Sequence, residues 1–166
     1  MNVRQATVAD RPAMFAIIND AAQAYRDAIP ADRWHEPYMP MEELEREIGA
    51  GIVFWVAEDA GRMVGVMGIQ DKGDVALVRH AYVSTKEQRK GVGRQLLRHV
   101  RGLAGKPILI GTWAAASWAI DFYRRNGFTQ VSPQEKEELL RKYWTIPERQ
   151  IETSVVLADR RWTRAQ

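Results

Sequence analysis

Residues 83–94 read VSTKEQRKGVGR, and their types and spacing describe an anion site. A strand-like run passes into a loop punctuated by Gly91 and Gly93 and then into an amphipathic helix. At a helix N-terminus the first backbone N–H groups lack intrahelical partners and lie at the positive end of the dipole, so a phosphate there gains hydrogen bonds and favourable charge together. The two glycines remove the Cβ atoms that would keep a phosphate off the backbone. Lys86, Arg89, Lys90, Arg94, Arg98 and Arg101 surround them with only Glu87 in opposition, more positive charge than one phosphate needs. A ligand with several phosphates is expected. The loop lacks the third glycine of a dinucleotide fingerprint, and no Gly-Lys-Ser/Thr follows as in a P-loop.

The elements that must hold this loop follow from hydrophobic period. Residues 75–83 form the strand that delivers it, preceded by strands over 52–58 and 63–69 and by turns at Asp59-Ala60-Gly61 and Lys72-Gly73-Asp74, an antiparallel meander. The following helix keeps Val92, Leu96, Leu97, Val100 and Leu103 on one face, and an apolar strand over 107–112 completes a central βαβ unit. Upstream, a strand over 3–7 leads into a capping box at Thr7-Val8-Ala9-Asp10 and a helix with Pro12 in its first turn, burying Met14, Phe15, Ile17, Ile18, Ala21, Ala22 and Tyr25. A proline-rich aromatic loop around Trp34, His35, Glu36 and Tyr38 ends at a helix over 41–48; its aromatics either wall a pocket or pack the loop down. Downstream, Ser117 can cap a helix through Tyr123 that stops at Asn126-Gly127; a strand over 128–131, a short helix plus loop within 132–150, a last strand over 151–157 and a polar tail of Arg160, Arg161 and Arg164 follow.

With 166 residues, 46% hydrophobic and 27% charged, the chain reads as a single domain over 1–166 with a sizeable core. Zero cysteines exclude disulfides, thiolate metal sites and a cysteinyl acyl intermediate. No stretch approaches the ~18 apolar residues of a membrane helix, and the expected location is cytoplasmic. Nucleic-acid binding is the rival reading of the basic cluster, but no basic tail or interleaved stacking aromatics accompany it.

Gln88-Arg89-Lys90-Gly91-Val92-Gly93 resembles the Q/R-x-x-G-x-G/A acetyl-CoA motif of the GNAT superfamily of N-acetyltransferases, and SWAIDFYRRNGF at 117–128 resembles that family's second motif through Ala119, Tyr123, Gly127 and Phe128. The resemblance implies an α/β (α+β) GNAT fold: a mixed, mostly antiparallel sheet of about seven strands with a central βαβ unit and about four helices. It implies acetyl-CoA as cosubstrate, no metal, and transfer of acetyl to a primary amine, of a small metabolite or alternatively of a protein or peptide. It implies a small-molecule acceptor as partner, without nucleic acid or membrane, and is compatible with a homodimer. Ala81, Tyr82 and Val83 would hold the pantetheine arm where strand four splays from strand five, and Gln88, Arg89, Lys90, Gly91, Val92, Gly93 and Arg94 the phosphates. Tyr123 would donate to the leaving sulfur, since a phenol at ~10 is a weaker acid than a thiol at ~8.5 and serves as proton source to a nascent thiolate. The family's frequent asparagine three residues before Ala119 is Ala116 here, which leaves Ser117 to replace its contact. A non-catalytic acyl-CoA sensor is the rival within this fold.

Tyr25, Trp34 and Tyr38 would shape the acceptor pocket. Strict alternation puts residues 77, 79, 81 and 83 on one face, with Arg79 beside the reaction and His80 pointing away. Arg79 would then either grip an acid on the acceptor or pair with an internal carboxylate. His35, His80, Glu36 and Glu152 are the candidates for a general base.

Overall fold

The computed structural model describes residues 1–162; Arg164 of the expected tail lies outside the described residues. Seven strands, β1 (Asn2–Gln5), β2 (Val53–Asp59), β3 (Arg62–Asp71), β4 (Ala76–Val83), β5 (Ile108–Trp113), β6 (Phe128–Gln130) and β7 (Ser154–Asp159), form one sheet in the order β1-β2-β3-β4-β5-β7-β6. Every neighbouring pair is antiparallel except β4 and β5. That exception is the expected βαβ unit, with helix α3 between β4 and β5.

Six helices flank the sheet: α1 (Arg11–Ala22), α2 (Met41–Gly49), α3 (Val92–Ala104), α4 (Ser117–Arg125), α5 (Pro133–Tyr143) and α6 (Glu148–Glu152). None is long and apolar enough to cross a membrane among the described residues. One face of the sheet buries Ala76, Val78, Ile108 and Ile110 against Val92, Leu96, Leu97 and Val100 of α3. The other buries Phe54, Val56 and Val66 under α1 and α2, and Leu77, Leu109 and Val156 under α5 and α6. A fully buried leucine such as Leu96 contributes roughly 1.5–3 kcal/mol by leaving water. The approach of α3 to β3 depends on Gly65, where a Cβ would stand 2.8 Å from Val92 Cγ1 and 3.0 Å from Leu96 Cδ1.

The helix count exceeds the four expected because the segment 132–150 holds two. Ser132 caps α5, its hydroxyl accepting the Glu135 N–H at 3.1 Å, with Pro133 in the first turn. Trp144 then turns extended, and Pro147 opens α6. Since α6 takes Ile151 and Glu152, the last strand begins at Ser154 rather than at 151.

The strict alternation expected along β4 fails. Val66 pairs with Tyr82 and Gly68 with Arg79, so two steps on β3 match three on β4: a β-bulge. The extra residue is accommodated at His80, whose φ of 56° is left-handed. Histidine tolerates that region better than most side chains. Below the bulge Ala76 and Val78 face α3; above it Ala81 and Val83 do, while Tyr82 packs toward the α1 and α2 side. Arg79 reaches Glu47 on α2 and therefore does not share the face of Ala81 and Val83.

Candidate active site

The glycine loop forms as its residue types require. Gly91 caps α3 at φ 82°, a left-handed conformation, and its carbonyl accepts the Gln95 N–H at 3.0 Å. Arg89 is also left-handed, at φ 67°. Gln88 Nε2 donates to the Val83 carbonyl at 3.3 Å, which holds the loop against the end of β4. A short turn over Thr85–Glu87 precedes it.

A cavity of about 590 Å³ opens here. Ala81, Tyr82, Val83, Gln88, Arg89, Gly91, Val92, Gly93 and Arg94 all line it. Trp118, Phe122 and Arg125 of α4 form the opposite side, and sequence reasoning missed them. Their signal was present: on α4 they lie one, five and eight residues past Ser117, alternating around the face that carries Ala119 and Tyr123. Lys90 lies outside the lining, its Nζ 2.9 Å from Glu87. Lys86 and Arg98 are outside it too, and Arg101 is turned to the Asn126 carbonyl and the Phe128 ring. Ser117 is exposed, lines neither cavity described here and does not cap α4: Ala116 is the N-cap and Ser117 the first helical residue. The remaining features suit coenzyme A. Exposed N–H groups of the first turn of α3 with Arg89, Arg94 and Arg125 match phosphates, and the apolar run from Ala81 and Val83 to Phe122 matches a thin pantetheine chain.

β4 and β5 pair only from Ala76 with Ile108 to Val78 with Ile110. Beyond that they part, and a second cavity of about 130 Å³ occupies the gap. Tyr25, Tyr38, Tyr82 and Tyr123 line it together with Arg79, His80, Thr112 and Trp113. Its outer wall is Trp144, Ile146, Gln150 and Ser154, a C-terminal segment that sequence reading did not connect to the site. Trp144 lies against Gly111, where a Cβ would come within 3.3 Å of the indole.

Tyr25, Ala81, Tyr82 and Tyr123 belong to both cavities. Tyr123 is buried, and burial, with the neighbouring Tyr25, pushes its hydroxyl far above the usual phenol range. It therefore stays protonated and can only donate until a stronger base forms beside it. Burial also pushes Tyr25 up to about 12. Trp34, by contrast, lines neither cavity: its ring packs on Tyr38 at 5.6 Å and its indole N–H donates to Glu36 at 3.2 Å.

Of the candidate bases, His35, Glu36 and Glu152 are exposed and outside both linings. His80, expected to point away, lines the smaller cavity because the bulge brings it there. Its Nε2 is paired with Glu47 Oε2. The other oxygen of Glu47 stands 3.7 Å from Arg79, which also donates to Gln70 at 3.2 Å. Burial pushes the Glu47 carboxyl up, but the hydrogen bond from His80 and the charges of His80, Arg79 and Arg46 outweigh it, leaving the group below the usual carboxylate range.

Solved structures share this architecture. PaiA N-acetyltransferase from Thermoplasma acidophilum, in complex with coenzyme A, is 15% identical with a TM-score of 0.73, over 95% of this chain and 97% of that one. A GNAT-family acetyltransferase from Staphylococcus aureus is 16% identical with a TM-score of 0.71, over 95% and 97%. Residues 50–130, which hold β2 to β6 and the glycine loop, match the sequence family described as Acetyltransferase (GNAT) domain. The fold is that of the GNAT acetyltransferase superfamily. Ribosomal-protein-alanine N-acetyltransferase from Brucella melitensis is 27% identical with a TM-score of 0.61 over 80% of this chain and 86% of that one. A search of curated proteins finds no match. The GNAT fold accounts for the splayed strands and the glycine loop, and it supports acetyltransferase activity in general.

Proposed function

We propose that the protein transfers an acetyl group from acetyl-CoA to the primary amine of a small acceptor by direct attack in a ternary complex. The observation that carries this is the position of Tyr123, shared by a glycine-headed cavity suited to coenzyme A and a small polar cavity in the strand gap. The amine nitrogen bonds to the carbonyl carbon as the C–S bond breaks, and the Tyr123 hydroxyl supplies a proton to the departing sulfur. With no cysteine in the chain, a cysteinyl intermediate does not arise.

Arg79 bears on the acceptor. Its carboxylate neighbour Glu47 is shared with His80 and stands off at 3.7 Å, so the guanidinium in the cavity wall is only loosely compensated. An acid on the acceptor would complete it in a bidentate pair, which favours a small amine bearing a carboxylate. The test is CoA release from acetyl-CoA with paired acceptors differing only as carboxylate and carboxamide; a higher kcat/KM for the carboxylates is expected, and equal values overturn the preference. A second reading has a specific support, the 27% identity to an enzyme described as acting on ribosomal-protein alanine. Under it, a peptide with an N-terminal alanine outperforms every small amine in the same assay.

A further inference from the structure

We infer that His80 takes the proton of the attacking amine and that Glu47, reaching over from α2, positions its imidazole. The inference rests on the acetyl-transfer reading above and adds to it the group that completes the proton balance. Three observations carry it. The bulge adds one residue to β4 at this point and brings His80 to the strand gap, where it lines the same cavity as Tyr123. Its buried Nε2 is committed to Glu47, which leaves Nδ1 as the ring nitrogen able to face an acceptor. Among the described residues, no carboxylate lines that cavity. An arginine cannot accept a proton and the buried tyrosines hold theirs, so among the described residues of the lining the imidazole of His80 is the side chain able to take one.

The surroundings of His80 come from six elements. Glu47 projects from α2, Arg79 from β4 itself, Tyr38 from the loop before α2, Tyr25 from the turn after α1 and Tyr123 from α4. The Phe54 ring of β2 lies near-parallel to the imidazole at 6.0 Å between centroids and limits its rotation. A carboxylate on one nitrogen orients an imidazole and stabilises the imidazolium formed when the other nitrogen accepts a proton. Arg79 sits on the free side of the same carboxylate and keeps it ionised.

The step balances. The acceptor reaches the cavity as the neutral amine. As its nitrogen bonds to the carbonyl carbon, one N–H proton passes to His80 Nδ1. As the C–S bond breaks, Tyr123 gives its proton to sulfur. The proton on His80 then returns through solvent to the Tyr123 oxygen, so amide and free thiol leave with both residues restored.

The left-handed backbone at His80 supplies clean variants, because glycine and asparagine both accept that conformation. In His80→Gly and His80→Asn, kcat/KM is expected to fall by roughly 10²–10⁴, with the acid limb of the pH profile lost. CoA affinity by calorimetry should stay at the wild-type value. Added imidazole should restore turnover in His80→Gly, and Glu47→Asp should retain more activity than Glu47→Ala. Variants that keep wild-type turnover and an unchanged pH profile overturn the inference while leaving the acetyl-transfer reading intact. A wild-type protein that binds CoA but acetylates no amine overturns that reading, and the inference with it.

Discussion

Asp20 on α1 accepts the Thr85 backbone N–H at 3.0 Å and the Thr85 hydroxyl at 3.1 Å, joining positions 65 residues apart in sequence. The contact anchors the turn that feeds the glycine loop to a helix whose last turn, at Ala21, borders the larger cavity together with Ala24 just beyond it. The loop is thus held from outside as well as by its own backbone. Asp20→Ala is expected to raise the CoA dissociation constant by roughly three- to tenfold, the loss typical of charge-assisted hydrogen bonds that are partly solvated. Calorimetric titration with CoA checks it, and an unchanged constant would show that the loop needs no tether.

Gly91→Glu places a side chain and a negative charge where the first turn of α3 meets the cavity, on a backbone with φ 82°. CoA binding should be abolished while circular dichroism keeps its helical signal, since a Cβ there meets nothing within 4 Å in the protein itself. Retained affinity in the folded variant would place the phosphates elsewhere.

Tyr123→Phe keeps the ring contacts with Phe122 and Phe128, at 5.2 and 5.9 Å, and removes one donor. Turnover should drop by roughly 10²–10⁴ with little change in CoA affinity. Wild-type turnover in a chemistry-limited assay would leave Tyr123 a packing residue, and a loss of affinity would assign it to binding.

Stability at low pH has a separate origin. Arg4 bridges Asp10 at 2.8 Å and Glu58 at 2.5 Å, and its hydrogen bonds hold the Asp10 carboxyl well below the usual carboxylate range in spite of burial. A group depressed in the folded state contributes stability in full above its unfolded value of ~3.9 and loses it as pH falls further. Asp10→Asn should therefore lower Tm at pH 7, and the gap to wild type should close progressively below pH ~4. Because Arg4 is a third exposed, the gap is expected to be modest. Thermal melts at several pH values test the trend, and a gap that widens toward acid would contradict it.

Much of the fold could be read in the sequence because its signals are local. Alternating apolar residues, the turns at Gly61 and Gly73 and the helical face of Val92, Leu96 and Val100 specify the meander and the crossover without reference to anything distant. The glycine loop was legible for the same reason, since Gly91 takes a left-handed backbone and a Cβ at Gly93 would stand 3.3 Å from the Phe122 ring. The bulge was not. No glycine or proline within β4 marks it; it arises where β4 must both pair with β3 and part from β5, and its left-handed residue is a histidine. Counting by twos from Leu77 therefore kept Ala81 and Val83 on the face of Arg79, which they leave at the bulge, and turned His80 away from the cavity that it lines. Trp144 and Gln150 escaped notice because they join the site through the return of β7 to the sheet beside β5, a pairing between distant segments. Trp34, prominent as text, packs on Tyr38 instead.

The additional residue in β4 can be lost without changing which side chains meet α3. Ala76 and Val78 before it and Ala81 and Val83 after it all lean on the α3 side because three residues are spent where the partner spends two. Removing position 80 would leave Val78 and Ala81 two residues apart, so the regularised ladder would keep Ala76, Val78, Ala81 and Val83 on the α3 side and take away only the imidazole. Divergence among related chains at this point should accordingly include single-residue gaps as well as substitutions, both of which retire the imidazole without disturbing the packing of α3.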